Sequence, residues 1–147
     1  MYKIFDIDPE EVGVIEELWE SNRIFHQKIS RHFKELYTSI TFEERMQNLR
    51  NRSREEIKVT VAQRDGRYIG YCISKITGGK GELESLHVTE ESRGLGVGKT
   101  LSSKHLEWMK GRGCSSIGVR VAYENDDAIS FYRKLGFFPN TLCLQLK

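Results

Sequence analysis

Arg93-Gly94-Leu95-Gly96-Val97-Gly98-Lys99-Thr100 places three glycines at alternate positions, directly after an alternating apolar strand and at the mouth of a helix. Each glycine lacks a Cβ, so backbone N–H groups can close on a ligand's oxygens, and the helix N-terminus adds partial positive charge. The stretch therefore reads as an anion cradle suited to a diphosphate. A nucleoside-triphosphate loop, G-x-x-x-x-G-K-[ST], is satisfied at Gly98-Lys99-Thr100, but its first glycine falls on Arg93. A dinucleotide fingerprint, G-x-G-x-x-G, needs glycine at Lys99 or at Leu101, and both fail. The pattern that fits is [RQ]-x-x-G-x-[GA], with Arg93, Gly96 and Gly98 in place.

Working upstream, Glu82 to Val88 predicts a strand with one irregularity. Leu83 and Leu86 are three apart, so a strict pleat sets them on opposite faces, whereas an extra residue near Glu84-Ser85 returns them to one face. Such a bulge splays strands and exposes backbone groups. Before it, Ile57, Val59 and Val61 alternate with Lys58, Thr60 and Ala62. Asp65-Gly66 is a hairpin turn, Tyr68 to Ile76 the return strand, and Gly78-Gly79 a second turn.

Nearer the start, Tyr2 to Ile7 predicts a first strand. Asp8-Pro9-Glu10-Glu11 opens a helix, with Asp8 as N-cap, and Val12, Ile15, Leu18 and Trp19 recur at helical spacing. A second helical region runs from about Ser30, and Thr41 to Glu44 opens a third with a capping-box pattern. Downstream of the glycines, Val97 to Met109 predicts an amphipathic helix that stops at Gly111-Arg112-Gly113. Ser116 to Val121 is a strand, Asn125 to Leu135 a helix, and Leu142 to Leu146 a final strand. The order β-α-α-α-β-β-β-α-β-α-β describes an α/β fold with a mixed, mostly antiparallel sheet flanked by helices.

Size and composition narrow the function classes. A chain of 147 residues most simply makes one domain. No apolar stretch of ~18 residues is available to span a bilayer, and Met1-Tyr2-Lys3-Ile4 shows no signal-peptide pattern, so a soluble cytoplasmic protein is expected. Cys72, Cys114 and Cys143 are widely spaced among apolar residues and read as buried thiols. The four histidines are dispersed, so no metal is expected. A net charge of +2 does not argue for nucleic acid. Arg45, Arg50, Arg52 and Arg54 cluster, but Glu43, Glu44, Glu55 and Glu56 sit among them, which reads as a solvated helix end.

A second motif follows the loop. Asn125-Asp126-Asp127-Ala128-Ile129-Ser130-Phe131-Tyr132-Arg133-Lys134-Leu135-Gly136-Phe137 closely resembles the N-x-x-A-x-x-F-Y-x-K-x-G-F segment of the GCN5-related N-acetyltransferases. The signature strand of that family, followed by R-G-x-G-x-G, is matched by Leu86-His87-Val88 and Arg93 to Gly98. The resemblance covers about residues 57–147.

That resemblance implies acetyl-coenzyme A as co-substrate and a primary amine as acceptor. Residues 1–147 are then one N-acetyltransferase domain, with about 1–55 on the acceptor side and about 57–147 as the cofactor-binding core. The resemblance implies that the backbone of Leu86, His87 and Val88 pairs with the pantetheine arm. Arg93, Gly94, Leu95, Gly96, Val97 and Gly98, with Lys99 and Thr100, hold the pyrophosphate. Asn125 reaches the pantetheine or its neighbouring loop, and Phe131 lines the thiol end.

Tyr132 is the candidate general acid, because a phenol can protonate the thiolate expelled from a tetrahedral intermediate. Glu84 and Glu82 are the candidate general bases, with Glu84 ahead because it sits at the suspected bulge. His87 is expected to act through its backbone, and His105 to be packed or solvated. Trp19, Phe25, His26, Phe33 and Tyr37 are candidate walls of the acceptor pocket, or plain core. Relatives are often dimers, and the final strand offers an edge through which a homodimer can pair. A non-catalytic acyl-coenzyme A-binding module on the same fold is the alternative, and a nucleotide-triphosphate enzyme the third reading.

Overall fold

The computed structural model describes residues 1–53 and 56–147; Arg54 and Glu55, two members of the charged cluster, lie outside the described residues. Strand β1 spans Lys3–Ile7. Asp8 caps the following turn: its carboxylate accepts from the Glu10 N–H at 2.9 Å, and Glu11 reaches back to the Asp8 N–H at 3.3 Å. The segment Pro9–Ile15 winds as a 3₁₀ helix before α1 (Glu16–Ile29) takes over. Proline and Gly13 make that opening a poor α-helix. The second helical region starts later than expected, as α2 (Lys34–Ser39). Helix α3 (Phe42–Arg50) begins as predicted, with the Thr41 hydroxyl accepting from the Glu44 N–H.

Strands β2 (Ile57–Arg64) and β3 (Arg67–Thr77) form a hairpin whose turn residues, Asp65 and Gly66, have φ of 52° and 78°. Two left-handed residues in succession match the strand twist, which is why Asp-Gly is favoured there. Strand β4 (Lys80–Val88), helix α4 (Val97–Gly111), strand β5 (Ser116–Val119) and helix α5 (Asp126–Lys134) complete the elements.

The sheet runs in the order β1-β2-β3-β4-β5, antiparallel throughout except for the parallel β4–β5 pair. Its two faces carry two cores. Val59, Val61, Tyr71 and Ile73 pack against Val12, Ile15, Trp19, Phe42 and Met46 from the N-terminal segments. Cys72 and Leu83 pack on the other side against Val97, Leu101, Met109 and Tyr132 from α4 and α5. Both faces are covered, so the alternation in β2 understates its burial: Thr60 is as buried as Val61.

Thr60 tolerates that burial through hydrogen bonds. Its hydroxyl donates to the Asp6 carboxylate (2.6 Å), so its oxygen accepts from His105 Nε2 (2.7 Å). His105 Nδ1 then accepts from the Ser74 hydroxyl (2.6 Å). Burial, with Lys58 nearby, drops the His105 pKa to about 3 and keeps the ring neutral. Burial acts to raise the Asp6 pKa, but hydrogen bonds from Lys58 and Thr60 outweigh it and leave the carboxyl below its ordinary value. This chain ties α4 to three strands. Of the two expected placements of His105, packed or solvated, it takes the packed one.

The bulge falls where the apolar spacing placed it. Ile73 pairs with Ser85 but Ser74 pairs with Leu83, leaving Glu84 as the extra residue. Leu83, Leu86 and Val88 accordingly share the α4–α5 face. On its other side β4 pairs with β5 only from Lys80 to Leu83, so its edge from Glu84 to Val88 has no strand beside it.

Two expectations are corrected. Leu142 to Leu146 is not a strand: residues 135–147 belong to no helix or strand, and Leu142, Leu144 and Leu146 are 64%, 87% and 98% exposed. Alternation specifies only which face a strand would bury; a strand also needs ladder hydrogen bonds to a neighbour, and this segment pairs with none of the five strands. The homodimer contact drawn from that strand loses its structural basis with it. Cys143, in the same segment, is exposed rather than buried, while Cys72 is buried and Cys114 half-buried. No helix among the described residues is long and apolar enough to cross a membrane, and they contain no cluster of metal-ligating side chains.

Candidate active site

The free edge of β4 opens into a cavity of about 800 Å³ that runs from the glycine loop to helices α1 and α3. At one end, Gly94 and Gly96 sit at φ of 86° and 80°, conformations that a side chain would strain. Gly96 caps α4 with no side-chain hydrogen bond, and no acidic residue lies in the helix's first turn. The first-turn amides are thus left for an outside acceptor at the positive end of a helix of 15 residues. Gly98 packs beside α5, where a Cβ would just touch the Phe131 ring at 3.5 Å and any larger side chain would press on it. Arg93 steadies the loop by donating to the Val88 carbonyl (3.3 Å).

Of the expected cofactor residues, Leu86, His87, Val88, Arg93, Gly94, Gly96, Val97, Gly98, Lys99, Asn125 and Phe131 line this cavity. Leu95 and Thr100 do not. Leu95 is exposed on the loop, and the Thr100 hydroxyl is bound to the Gly96 carbonyl (2.9 Å) and to Tyr2 (3.1 Å). The residues present suit an extended diphosphate ester: a bare strand edge meets a loop of free amides without intervening acids.

Tyr132 lines the same cavity at the root of α5, only 8% exposed, between the Phe131 and Phe137 rings at 5.1 and 5.6 Å. Among the described residues its hydroxyl has no hydrogen-bond partner. Burial above all, with Cys72 and Tyr71 nearby, pushes its pKa well above the usual phenol value, so the group stays a neutral donor. His87 is buried and its pKa falls to about 4, through burial first and then Arg93 and His26. It is neutral near pH 7, in keeping with a backbone contribution.

Glu84 lines the cavity at the bulge, but it is not free: Lys75 Nζ lies at 3.1 Å and Arg45 Nη2 at 3.7 Å. Glu82 does not line the cavity and contacts Lys75 (3.5 Å) and Arg120 (3.7 Å). Asn125 spends its carbonyl oxygen capping α5 at the Ala128 N–H (3.2 Å) and turns its amide nitrogen toward His26 Nε2 (3.5 Å). His26 Nδ1 contacts the Asn22 carbonyl (2.9 Å), which fixes Nδ1 as the donor, and its ring stacks on Tyr37. Trp19, Phe25, His26 and Tyr37 all reach the cavity wall; Phe33 does not.

Sequence reasoning missed Arg45 and Arg23. Arg45 stood in a charged cluster that reads as solvated, yet it projects from α3 to the bulge, while Arg50 of the same cluster does pair locally with Glu43 (3.2 Å). No spacing in the chain signals that α3 packs beside Glu84.

A family model for the acetyltransferase (GNAT) family matches residues 12–137. The chain is 35% identical over 82 residues to N-alpha-acetyltransferase 30 of Schizosaccharomyces pombe, a match covering 52% of this chain and 55% of that protein. The chain spans about half the length of the first curated relatives it matches. Among solved structures it is similar to a putative acetyl transferase from Pyrococcus furiosus (26% identity, TM-score 0.75, 100% of this chain and 99% of that one). It is equally similar to the PaiA N-acetyltransferase from Thermoplasma acidophilum in complex with coenzyme A (26% identity, TM-score 0.75, 94% and 90%). The fold is thus that of the acyl-coenzyme A transferases. The chain belongs to the GNAT acetyltransferase family.

Proposed function

We propose that the protein transfers an acetyl group from acetyl-coenzyme A to an amine. The observation that carries this reading is the bare β4 edge from Glu84 to Val88, flanked by the Arg93–Gly98 loop at one end and by the Tyr132 hydroxyl in the same cavity. The backbone of Leu86 to Val88 would accept the pantetheine arm as an added strand, and the amides from Gly94 to Gly98 the pyrophosphate. Arg93 and Lys99 add charge of the right sign.

In the reaction, the neutral amine nitrogen attacks the thioester carbonyl carbon and the carbonyl electron pair moves to oxygen. When that pair returns, the carbon–sulfur bond breaks and the thiolate takes the Tyr132 proton. The proton shed by the attacking nitrogen restores the phenol through solvent, so amine and thioester yield amide and thiol with no net proton change. Glu84, at the bulge, would draw that proton through water. The aromatic wall of Trp19, Phe25, His26 and Tyr37 would bound the acceptor.

The test is thiol release from acetyl-coenzyme A with a panel of primary amines, alongside calorimetric titration of coenzyme A and ATP. Amine-dependent release with preferential coenzyme A binding is expected. Coenzyme A binding without release on any amine would favour the non-catalytic module, and preferential ATP binding would overturn both.

A further inference from the structure

The acceptor end of the cavity is built around an uneven row of charges. Reading across the surface, Arg45 faces Glu84, Glu84 faces Lys75, Lys75 faces Glu82 and Glu82 faces Arg120, at 3.7, 3.1, 3.5 and 3.7 Å. Three cations share two carboxylates, and a cation stands at each end. Both end cations, Arg45 and Arg120, line the cavity. Arg23, the other arginine on the acceptor wall, is satisfied by Glu20 (3.0 Å) and the Tyr37 carbonyl (3.1 Å). Two carboxylates, Glu84 at the bulge and Asp127 in the first turn of α5, stand among the described lining residues, and two cations already hold Glu84.

At the bulge, an acceptor with several positive charges finds a carboxylate already held by two cations, in a row that carries an excess of one positive charge. Arg45, by contrast, has a side chain 48% exposed and a single, long contact to Glu84, so most of its five donors are uncommitted. A guanidinium in that state suits the two oxygens of a carboxylate.

We infer that the acceptor amine also bears a carboxylate, which Arg45 receives while the apolar wall takes the remaining side chain. Occupation of Arg45 by the acceptor's carboxylate loosens its hold on Glu84, leaving Glu84 paired to Lys75 and nearer to the incoming ammonium in charge terms. Binding of the correct acceptor thereby readies the group expected to take its proton. This rests on the acetyl-transfer reading above.

The test compares matched pairs, leucine with leucinamide and phenylalanine with phenylalaninamide, together with spermidine and kanamycin as polycations. Rates of thiol release are measured for wild type, Arg45→Gln and Arg45→Lys, each checked for coenzyme A affinity and thermal unfolding. The amide of each pair has the less basic amine, which biases chemistry against the expected result. In wild type, kcat/KM for the acid should exceed that for the amide by about tenfold, the scale of one charged hydrogen-bonded contact. The ratio should collapse toward one in Arg45→Gln and largely return in Arg45→Lys, and the polycations should be the poorest acceptors. A wild-type ratio at or below one, faster turnover of spermidine or kanamycin, or a ratio unchanged in Arg45→Gln would overturn the inference while leaving acetyl transfer intact. Absence of release on every amine, with coenzyme A bound, would overturn the acetyl-transfer reading and this inference with it.

Discussion

Replacing Tyr132 with phenylalanine separates chemistry from packing, because among the described residues the hydroxyl has no hydrogen bond to lose. The ring contacts to Phe131 and Phe137, at 5.1 and 5.6 Å, survive the change. No partner is left unsatisfied, so stability should hold within about 1 kcal/mol. Coenzyme A affinity should likewise stay within about twofold of wild type, since no cofactor contact assigned here uses the hydroxyl. If the phenol protonates the leaving thiolate, kcat should fall by roughly 10²- to 10⁴-fold, or about 3 to 5 kcal/mol on the barrier. The assay is steady-state thiol release at saturating acetyl-coenzyme A from about pH 6 to 10, with calorimetry for affinity and thermal unfolding for stability. Since burial raises the phenol pKa above its ordinary value, Tyr132 should impose no loss of wild-type activity below about pH 10. A Tyr132→Phe enzyme with kcat within about threefold of wild type at every pH would refute the general-acid role and leave Tyr132 as packing alone.

Two further predictions concern the frame of the site. Gly98→Val places branched carbons where a Cβ already meets the Phe131 ring at 3.5 Å, so coenzyme A should bind at least about tenfold more weakly, by calorimetry, with little change in secondary structure. Acid should destabilise the fold through His87 and His105, whose folded pKa values of about 4 and about 3 lie below the ordinary imidazole value of 6.5. Below that value the unfolded chain binds protons the folded one refuses, so stability is full above about pH 7 and falls as pH drops toward 3. Each histidine should withdraw about 2 kcal/mol by pH 5, measured as chemical denaturation midpoints; a His87→Asn variant with an unaltered slope would contradict its share.

Much of this fold is legible along the chain because its signals are local. The Asp65-Gly66 turn, the Asp8 and Thr41 caps and the Gly94–Gly98 loop each depend on a few neighbouring residues and their backbone preferences. Even the bulge at Glu84 shows in the sequence, since the three-residue step from Leu83 to Leu86 conflicts with a pleat of period two. Leu142 to Leu146 marks the limit of that reasoning: its alternation is as regular as that of β2, yet a strand exists only where another strand supplies hydrogen bonds. Thr60 and His105 look like ordinary polar residues until packing brings Asp6, Ser74 and the two of them into one buried chain.

The glycine loop and the Asn125–Phe137 segment, read together, sufficed to place the chain in its family, because contiguous backbone contacts with one cofactor leave a contiguous record. The acceptor side leaves none. Arg45 comes from α3, Glu84 from β4 and Lys75 from β3, and only the packing of helix on sheet sets these charges 3.1 to 3.7 Å apart. The sum of charges at that end of the cavity, and with it the acceptor we infer, is a property of three-dimensional proximity that spacing along the chain does not encode.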